Sequence, residues 1–346
     1  MRLISGVVIF LTLFFAAISN LFVAVASQKT IPQLNQDSSL TPSETDNAEN
    51  VTITDIQVNF VTDKGVPTTG KTQPYIITRE FDLQPGDTYN AELAQQGLER
   101  LSQLDIVRKA SITLEPTSNP QQMVMVINIV ERNPLAFNLS ANAPAPSALQ
   151  GPFQPRIVSP GADEDTGQAV SGSVEYKNLG GKDQNLALRV EAGENVFNTE
   201  LSFLEPWIAG DTQRTGYAIN LFNQRSVQAV FTGGNREVKL PNGDEPWVHR
   251  LGGGVEVFRP IQEDIVAVAG FSYQRVSTRS EAFTSEIQPV DELGNPLTKS
   301  QNGQDDLFTL NFALSLDQRD NKRYPTRGAR VRLGLAQSIP IGSGNI

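Results

Sequence analysis

The sequence predicts an α+β domain followed by an antiparallel all-β barrel that crosses a membrane. Three observations carry that fold class. From Leu135 onward, apolar and polar residues alternate in stretches of about ten residues, and no helical periodicity appears. The alternation is clearest where Phe308, Leu310, Phe312, Leu314 and Leu316 interleave with Thr309, Asn311, Ala313, Ser315 and Asp317. Side chains of a strand point to opposite faces with period two, so each such stretch has one apolar and one polar face. Residues 51–132 have a different texture, a strand, two helices and two strands. Finally, no segment beyond residue 30 is apolar for the ~20 residues that a spanning helix requires, which leaves a barrel as the membrane-crossing form. A soluble β-sandwich shows the same alternation and stays open at this point.

The 346 residues give room for two domains and tails. Cysteine is absent, which removes disulfides, thiol nucleophiles and thiolate metal sites. His249 is the single histidine, so neither a metal nor a cofactor site is expected. The net charge of −10 speaks against nucleic acid as a partner. Enzyme readings fare poorly. A Ser-His hydrolase would depend on His249, which Pro246-Trp247-Val248 place in a loop or at a membrane interface. Gly252-Gly253-Gly254 lies within a strand pattern with no helix after it, so it reads as close packing in a wall rather than a phosphate loop. Asp163-Glu164-Asp165 and Asp305-Asp306 read as solvated loop charges rather than calcium ligands. Trp207 and Trp247 fit the aromatic belt of a membrane interface, with core packing as the alternative.

Along the chain, Arg2, the apolar run Leu3 to Phe15 and Ala24-Val25-Ala26 form a secretory signal peptide over residues 1–26. An uncleaved anchor helix is the alternative. Residues 27–50, rich in Gln, Asn, Ser, Thr, Pro and Asp, read as a disordered linker. Val51, Ile53, Ile56, Val58 and Phe60 make a first strand, and Pro74 to Glu80 a short helix. Asn90 caps a second helix, with Leu93, Gly97, Leu98, Leu101 and Leu104 on one stripe. Val107 to Leu114 and Gln122 to Val130 are two further strands. Nine strands are then expected at 135–142, 169–178, 185–193, 196–204, 213–224, 247–259, 265–276, 307–317 and 328–338. Long polar inserts at 143–167, 226–246 and 277–306 alternate with short turns, the loop asymmetry of an outer-membrane barrel.

Several of these stretches resemble one family. Arg79-Glu80-Phe81-Asp82-Leu83-Gln84-Pro85-Gly86-Asp87-Thr88-Tyr89-Asn90, in its β-α-α-β-β frame, resembles a POTRA domain. Ile127 to Asn133 resembles the join between the last POTRA domain and the barrel. Tyr176-Lys177-Asn178-Leu179-Gly180-Gly181 and Phe203-Leu204-Glu205-Pro206-Trp207-Ile208-Ala209-Gly210-Asp211 resemble early barrel strands, and Arg319-Asp320-Asn321 with Pro325-Thr326-Arg327-Gly328 is similar to the mid-barrel turn. The chain is identified on these residues as a member of the outer-membrane protein assembly factor family (BamA/TamA-type), most like cyanobacterial members. The resemblance implies a POTRA domain at 51–132 in the periplasm and, at 133–346, the N-terminal part of a sixteen-stranded outer-membrane barrel. The family's inward-folded loop has no match here.

What the resemblance implies functionally is a factor that helps barrel proteins insert into the outer membrane. The partners would be unfolded outer-membrane proteins, outer-membrane lipids, and accessory assembly subunits or a second barrel half. Val107-Arg108-Lys109-Ala110-Ser111-Ile112 is the candidate strand-binding edge, because a free sheet edge can take an incoming strand. The polar Arg108, Lys109 and Ser111 equally suit an edge that is merely kept solvated. Leu135 to Asn142 would be the weak seam of the barrel, followed by Pro144-Ala145-Pro146. Two other readings stand beside this one. A passive pore would present Arg189, Glu191, Arg330 and Arg332 to its lumen. An inactive truncated remnant is the third.

Overall fold

The computed structural model describes residues 51–141, 168–228, 231, 237–262, 264–320 and 325–339. The expected signal peptide and linker, Pro144-Ala145-Pro146, Asp163-Glu164-Asp165 and Asn321 lie outside the described residues.

The described residues begin with a strand, β1 (Thr52–Phe60), then two helices, α1 (Pro74–Thr78) and α2 (Ala91–Gln103), then β2 (Val107–Pro116) and β3 (Gln122–Glu131). Pro74 opens α1, where a missing amide hydrogen costs nothing. The Asn90 side chain accepts from the Leu93 amide at 3.0 Å and so caps α2. The sheet order is β1-β3-β2, with β1 parallel and β2 antiparallel to the central β3. Its apolar face packs on the helices. Ile53, Ile76, Ile77, Leu101, Met125, Ile127 and Ile129 are fully buried there, with Leu98, Leu104, Ile112 and Leu114 packed around them.

Nine antiparallel strands follow: β4 (Leu135–Ala141), β5 (Ala169–Leu179), β6 (Gln184–Gly193), β7 (Val196–Glu205), β8 (Gly216–Val227), β9 (Trp247–Gln262), β10 (Ile265–Arg279), β11 (Gln304–Asp317) and β12 (Arg330–Ile339). Each pairs with its neighbours in sequence, and among the described residues β4 and β12 are the outer strands of an open sheet. The positions agree with the expected strands to within a few residues, the largest shift being at β8. There Glu205–Gly216 forms a turn whose Ile208 amide bonds to the Thr215 carbonyl at 2.8 Å.

Two adjacent rows across this sheet show its character. One row runs Phe137, Val174, Leu188, Leu201, Leu221, Gly253, Tyr273, Phe308, Ile339. Its neighbour runs Ala136, Glu175, Ala187, Ser202, Asn220, Gly254, Ser272, Thr309, Ser338. The apolar row is the exposed one: Phe137 is 68% and Leu221 54% accessible. The polar row is the enclosed one: Ser202 is 3% and Asn220 5% accessible. Burial is thus inverted relative to a protein folded in water, which rules out the soluble-sandwich alternative. The enclosed polar groups are bonded to one another. Asn220 Nδ2 donates to Ser202 Oγ at 3.3 Å, Asn311 Nδ2 to Ser272 Oγ at 3.3 Å, and Asn198 Nδ2 to Glu191 Oε2 at 3.2 Å. Arg189 lies 3.7 Å from Glu191 on this concave face, and Arg332 shares its row with the enclosed Ser315. Toward the small domain, the same face carries an apolar cluster of Ala187, Leu204, Ala218, Phe258 and Val268.

The structure bears on three local expectations. His249 sits within β9, in the strand expected at 247–259, so the loop alternative falls away, and its ring nitrogen Nε2 meets the Glu281 carbonyl at 3.0 Å. Asp305 and Asp306 are not solvated loop charges, because both lie in β11. Asp305 accepts from the Lys299 and Ser300 amides at 2.9 Å each, and Asp306 accepts from Tyr273 Oη at 2.8 Å and Arg275 Nε at 2.9 Å. Gly252 and Gly253 do mark close packing, since a Cβ on either would strike the Tyr273 or Asn220 carbonyl of the neighbouring strand.

Candidate strand-binding edge and docking junction

The small sheet has two edges, and they are finished differently. The outer side of β1 is covered by its own chain at both ends. Ile53 N donates to Asp87 O at 2.9 Å, Gly86 N to Ile53 O at 2.7 Å, Tyr89 N to Val51 O at 2.8 Å and Thr68 N to Phe60 O at 2.9 Å. The outer side of β2 is bare: among the described residues, no backbone hydrogen bond outside the β2–β3 ladder engages Arg108 to Pro116. Val107 to Ile112 therefore stand at the open edge. Val107 is buried, while Arg108, Lys109 and Ser111 are exposed on the solvent side and Ala110 and Ile112 turn toward the core. The ladder slips by one residue between Val107 and Lys109, leaving Arg108 as the bulged residue, ion-paired with Asp63. Below the bulge, Arg132 Nε holds the Val107 carbonyl at 2.8 Å.

The remaining motif residues separate into two places. Arg319, Asp320, Pro325, Thr326 and Gly328 lie in the β11–β12 turn. Arg319 Nε and Nη2 grip the Asp317 carboxylate at 2.7 Å each. The Asp320 carboxylate accepts from the Thr326 amide at 3.0 Å and the Arg327 amide at 3.1 Å. Gly328 takes φ +95°, and a Cβ there would collide with the Gln318 carbonyl.

Glu205, Pro206 and Trp207 lie in the β7–β8 turn, which meets the small domain. Trp207 is a docking residue, not a free member of an aromatic belt. Arg79, one residue past α1, places its guanidinium 4.6 Å from the Trp207 ring centroid and donates from Nη1 to the Trp207 carbonyl at 3.0 Å. Arg214 covers the same ring at 4.9 Å. Arg79 also lies 3.9 Å from Asp183 and 3.7 Å from Glu80. Glu205 receives the Gln184 side-chain amide.

The β5–β6 turn docks alongside. Asn178, Gly180, Gly181 and Asp183 all have positive φ, which folds the turn into a compact knob. Gln73 N donates to Gly181 O at 2.8 Å, Gln73 Nε2 to Gly180 O at 2.9 Å and Asn178 Nδ2 to Thr72 Oγ1 at 2.9 Å. The Thr72 amide in turn donates to Glu131 Oε1 at 2.7 Å, so the network reaches the end of β3. Gly181 has no room for a Cβ, which would meet the Lys71 carbonyl. Lys177 adds an ion pair to Asp105 at 3.2 Å. Two acids here are electrostatically unusual. Burial raises Glu80 above the ordinary carboxylate value against the pull of Arg214 and Arg79, and burial pushes Asp183 up to about 7 against Arg79.

Sequence reasoning selected the two turns but assigned them only to barrel strands. It missed Thr72, Gln73, Asp183 and Arg214 as contact residues. The signal present was Asn-Leu-Gly-Gly-Lys-Asp, two glycines flanked by residues that tolerate left-handed backbone, more than a plain two-residue hairpin needs.

The Omp85 superfamily domain model matches residues 178–346, from the knob to the last residue. Residues 178–346 form an Omp85 superfamily domain. It is 26% identical over 255 residues to outer envelope protein 80, chloroplastic, of Oryza sativa subsp. japonica, covering 73% of this chain and 36% of that protein. It is 24% identical over 163 residues to the outer membrane protein assembly factor BamA of Neisseria meningitidis, covering 46% of this chain and 18% of that one. The chain thus spans about a third of the length of the first of these relatives or less. In fold it is similar to the crystal structure of BamA from Haemophilus ducreyi lacking POTRA domains 1-3, with a TM-score of 0.54, 14% identity, and coverage of 84% of this chain and 49% of that one. For an Omp85 member, the inverted sheet is an outer-membrane wall, with its apolar rows toward lipid.

Proposed function

We propose that this protein is an outer-membrane protein insertion factor whose small domain is a POTRA domain, on the periplasmic side, that receives unfolded barrel proteins. The observation that carries this reading is the bare β2 edge, set beside a β1 edge whose two ends the chain has covered for itself. A bare edge offers unpaired amides and carbonyls to an extended segment. Arg108 and the exposed Lys109 keep it soluble until one arrives. An incoming strand with alternating apolar residues would continue the apolar face of Ala110, Ile112 and Leu114 over α2. The β4 strand, seven residues long and paired only with β5 among the described residues, supports a role as the barrel seam to which a client passes. The other partners proposed are outer-membrane lipids on the apolar face and, at the outer strands, accessory subunits or a second barrel half.

The test is site-specific photocrosslinking in the full chain. A photoreactive residue at Ser111 should capture an unfolded barrel protein, and one at Thr52, where the Thr88 segment covers the end of β1, should not. Equal capture at both positions, or none at Ser111, would remove β2 as the receiving edge. The passive-pore reading draws on the polar concave face with Arg189, Glu191, Arg330 and Arg332. The enclosed Phe258 cluster on that same face, toward the small domain, weighs against an open aqueous path.

A further inference from the structure

We propose that Arg79, held between Trp207 and Asp183, is a positioning residue that locks the small domain, and with it the β2 edge, in one orientation on the β5–β6 and β7–β8 turns. The strand-receiving role of β2 rests on the function proposed above. The lock itself rests only on the junction's geometry.

Two domains joined by a short covalent connection move relative to one another unless their interface restrains them. Here the connection is only the residues between Glu131 and Leu135. Arg79 comes from the small domain, and Trp207 and Asp183 come from two different turns of the nine-stranded sheet. A single guanidinium therefore ties three segments together. It lies 4.6 Å from the indole centroid, its Nη1 donates to the Trp207 carbonyl, and its Nη2 lies 3.9 Å from the Asp183 carboxyl. Arg214 lies 4.9 Å from the centroid of the same indole, so the ring meets two cations, and the ring's Nε1 is tied to the Asp211 carbonyl at 2.6 Å. A cation over a tryptophan face is held more strongly when desolvated, and Arg79 is largely enclosed. Arginine is the residue type that can stack and donate at once; lysine keeps only the charge. The Thr72–Asn178 and Gln73–Gly181 bonds lie on the other turn and fix the twist about this pivot. Because the contact is polar and aromatic rather than broadly apolar, few side chains set its strength.

The absence of cysteine from the chain makes the measurement direct. Spin labels at Glu115→Cys on β2 and Glu245→Cys beyond β8, on the full chain in lipid nanodiscs, report the distance between the two domains. The native chain should give one narrow distance distribution. Trp207→Leu should broaden it about twofold or split it, as expected of domains released from a restraining interface. Arg79→Ala should do the same, and Arg79→Lys should fail to restore the narrow distribution. Arg100→Ala, which removes the pair with Asp82 inside the small domain, should leave it narrow. Trp207 contributes nothing to the small-domain core, so Trp207→Leu remains informative even if an Arg79 variant folds poorly. An unchanged distribution in Trp207→Leu, or full restoration by Arg79→Lys, would overturn the lock. Neither result depends on client capture at Ser111, so failure here and failure of the receiving-edge reading are separable.

Discussion

The small domain and the nine-stranded sheet solve the same burial problem with opposite signs. In the small domain, Ile53, Leu101, Ile127 and Ile129 are sealed between sheet and helices, and the exposed positions of β2 are Arg108, Lys109, Ser111, Thr113, Glu115 and Pro116. In the larger sheet, Leu139 is 81% accessible on the convex face while Ser171 is 1% accessible on the concave one. The same period-two code is written in both. What differs is the solvent each apolar face was selected against. The first must hide from water, and the second has lipid to meet. The docking junction sits where the two regimes meet, and there neither rule applies. Buried acids, stacked cations and backbone carbonyls bind instead, and the glycines of the knob allow the close approach.

The contrast can be broken most forcefully in the small domain. Ile127→Ala removes a fully buried side chain from the middle of the central strand. It should cost about 2–5 kcal/mol, read as a lower denaturant midpoint for the small domain by circular dichroism. Survival at native stability would mean the domain core lies elsewhere. The matching experiment on the sheet is Leu221→Arg. At an exposed position of a water-soluble protein this change would fall within about 0.5 kcal/mol of neutral. Facing lipid near the middle of a strand, it should cost roughly 2–4 kcal/mol and lower the amount assembled in the membrane. A silent Leu221→Arg would mean that the convex face is not in lipid.

The junction gives the next largest effect, with a pH signature. Asp183 has a folded value of about 7 against 3.8 for the free group, so the folded junction holds a proton that the released one gives up. An acid raised in this way costs nothing at pH values below the free value. Its penalty grows as pH rises from about 4 to 7 and is constant above that. Arg79, Glu80, Asp105 and Glu205 are the charges around it. Asp183→Asn should therefore stabilise the junction at pH 8 by roughly 1–3 kcal/mol, less than the full shift implies because Arg79 loses its countercharge. At pH 4 it should change little. Thermal unfolding of both proteins across that range checks the sign. A variant weaker than native at pH 8 would show that the ionised Asp183–Arg79 pair is net stabilising.

Much of this was legible beforehand, for physical reasons that differ by region. Strands β4 to β12 could be placed because alternation is a local property, printed in Leu186, Leu188 and Val190 as plainly as in Phe308, Leu310 and Phe312. Helix α2 could be placed because Asn90 and the Leu93–Leu104 stripe are local too. The edge status of β2 was an inference from polar residues, and what distinguishes it from β1 is that residues 86–89 and Thr68 cover the latter, a tertiary fact. The docking of Arg79 on Trp207 was illegible, because the two lie 128 positions apart and nothing in either stretch names its partner. Asp305 was misread for a similar reason: its two amide donors, Lys299 and Ser300, come from a loop that folds back on it.

The smallest expected effect concerns the β11–β12 turn and needs a matched pair of glycines. Gly328 has φ +95°, and a Cβ there would run into the Gln318 carbonyl, with the Arg319 backbone close behind. Gly334, in β12, would place a Cβ 3.7 Å from the Phe312 carbonyl and 4.0 Å from the Ala313 Cβ, both ordinary contacts. The same chemical change, glycine to alanine, is thus strained at one site and accommodated at the other. Backbone conformation alone should cost Gly328→Ala about 1–2 kcal/mol, with the collision adding to it. Gly334→Ala should be neutral or slightly stabilising, because it lowers the entropy of the unfolded chain. Folding titrations in vesicles read both. If the two variants unfold at the same denaturant concentration, the turn does not hold the Gln318 and Ala329 strands in the register seen here. The Gln318 amide to Ala329 carbonyl bond at 2.9 Å would then be dispensable to the wall.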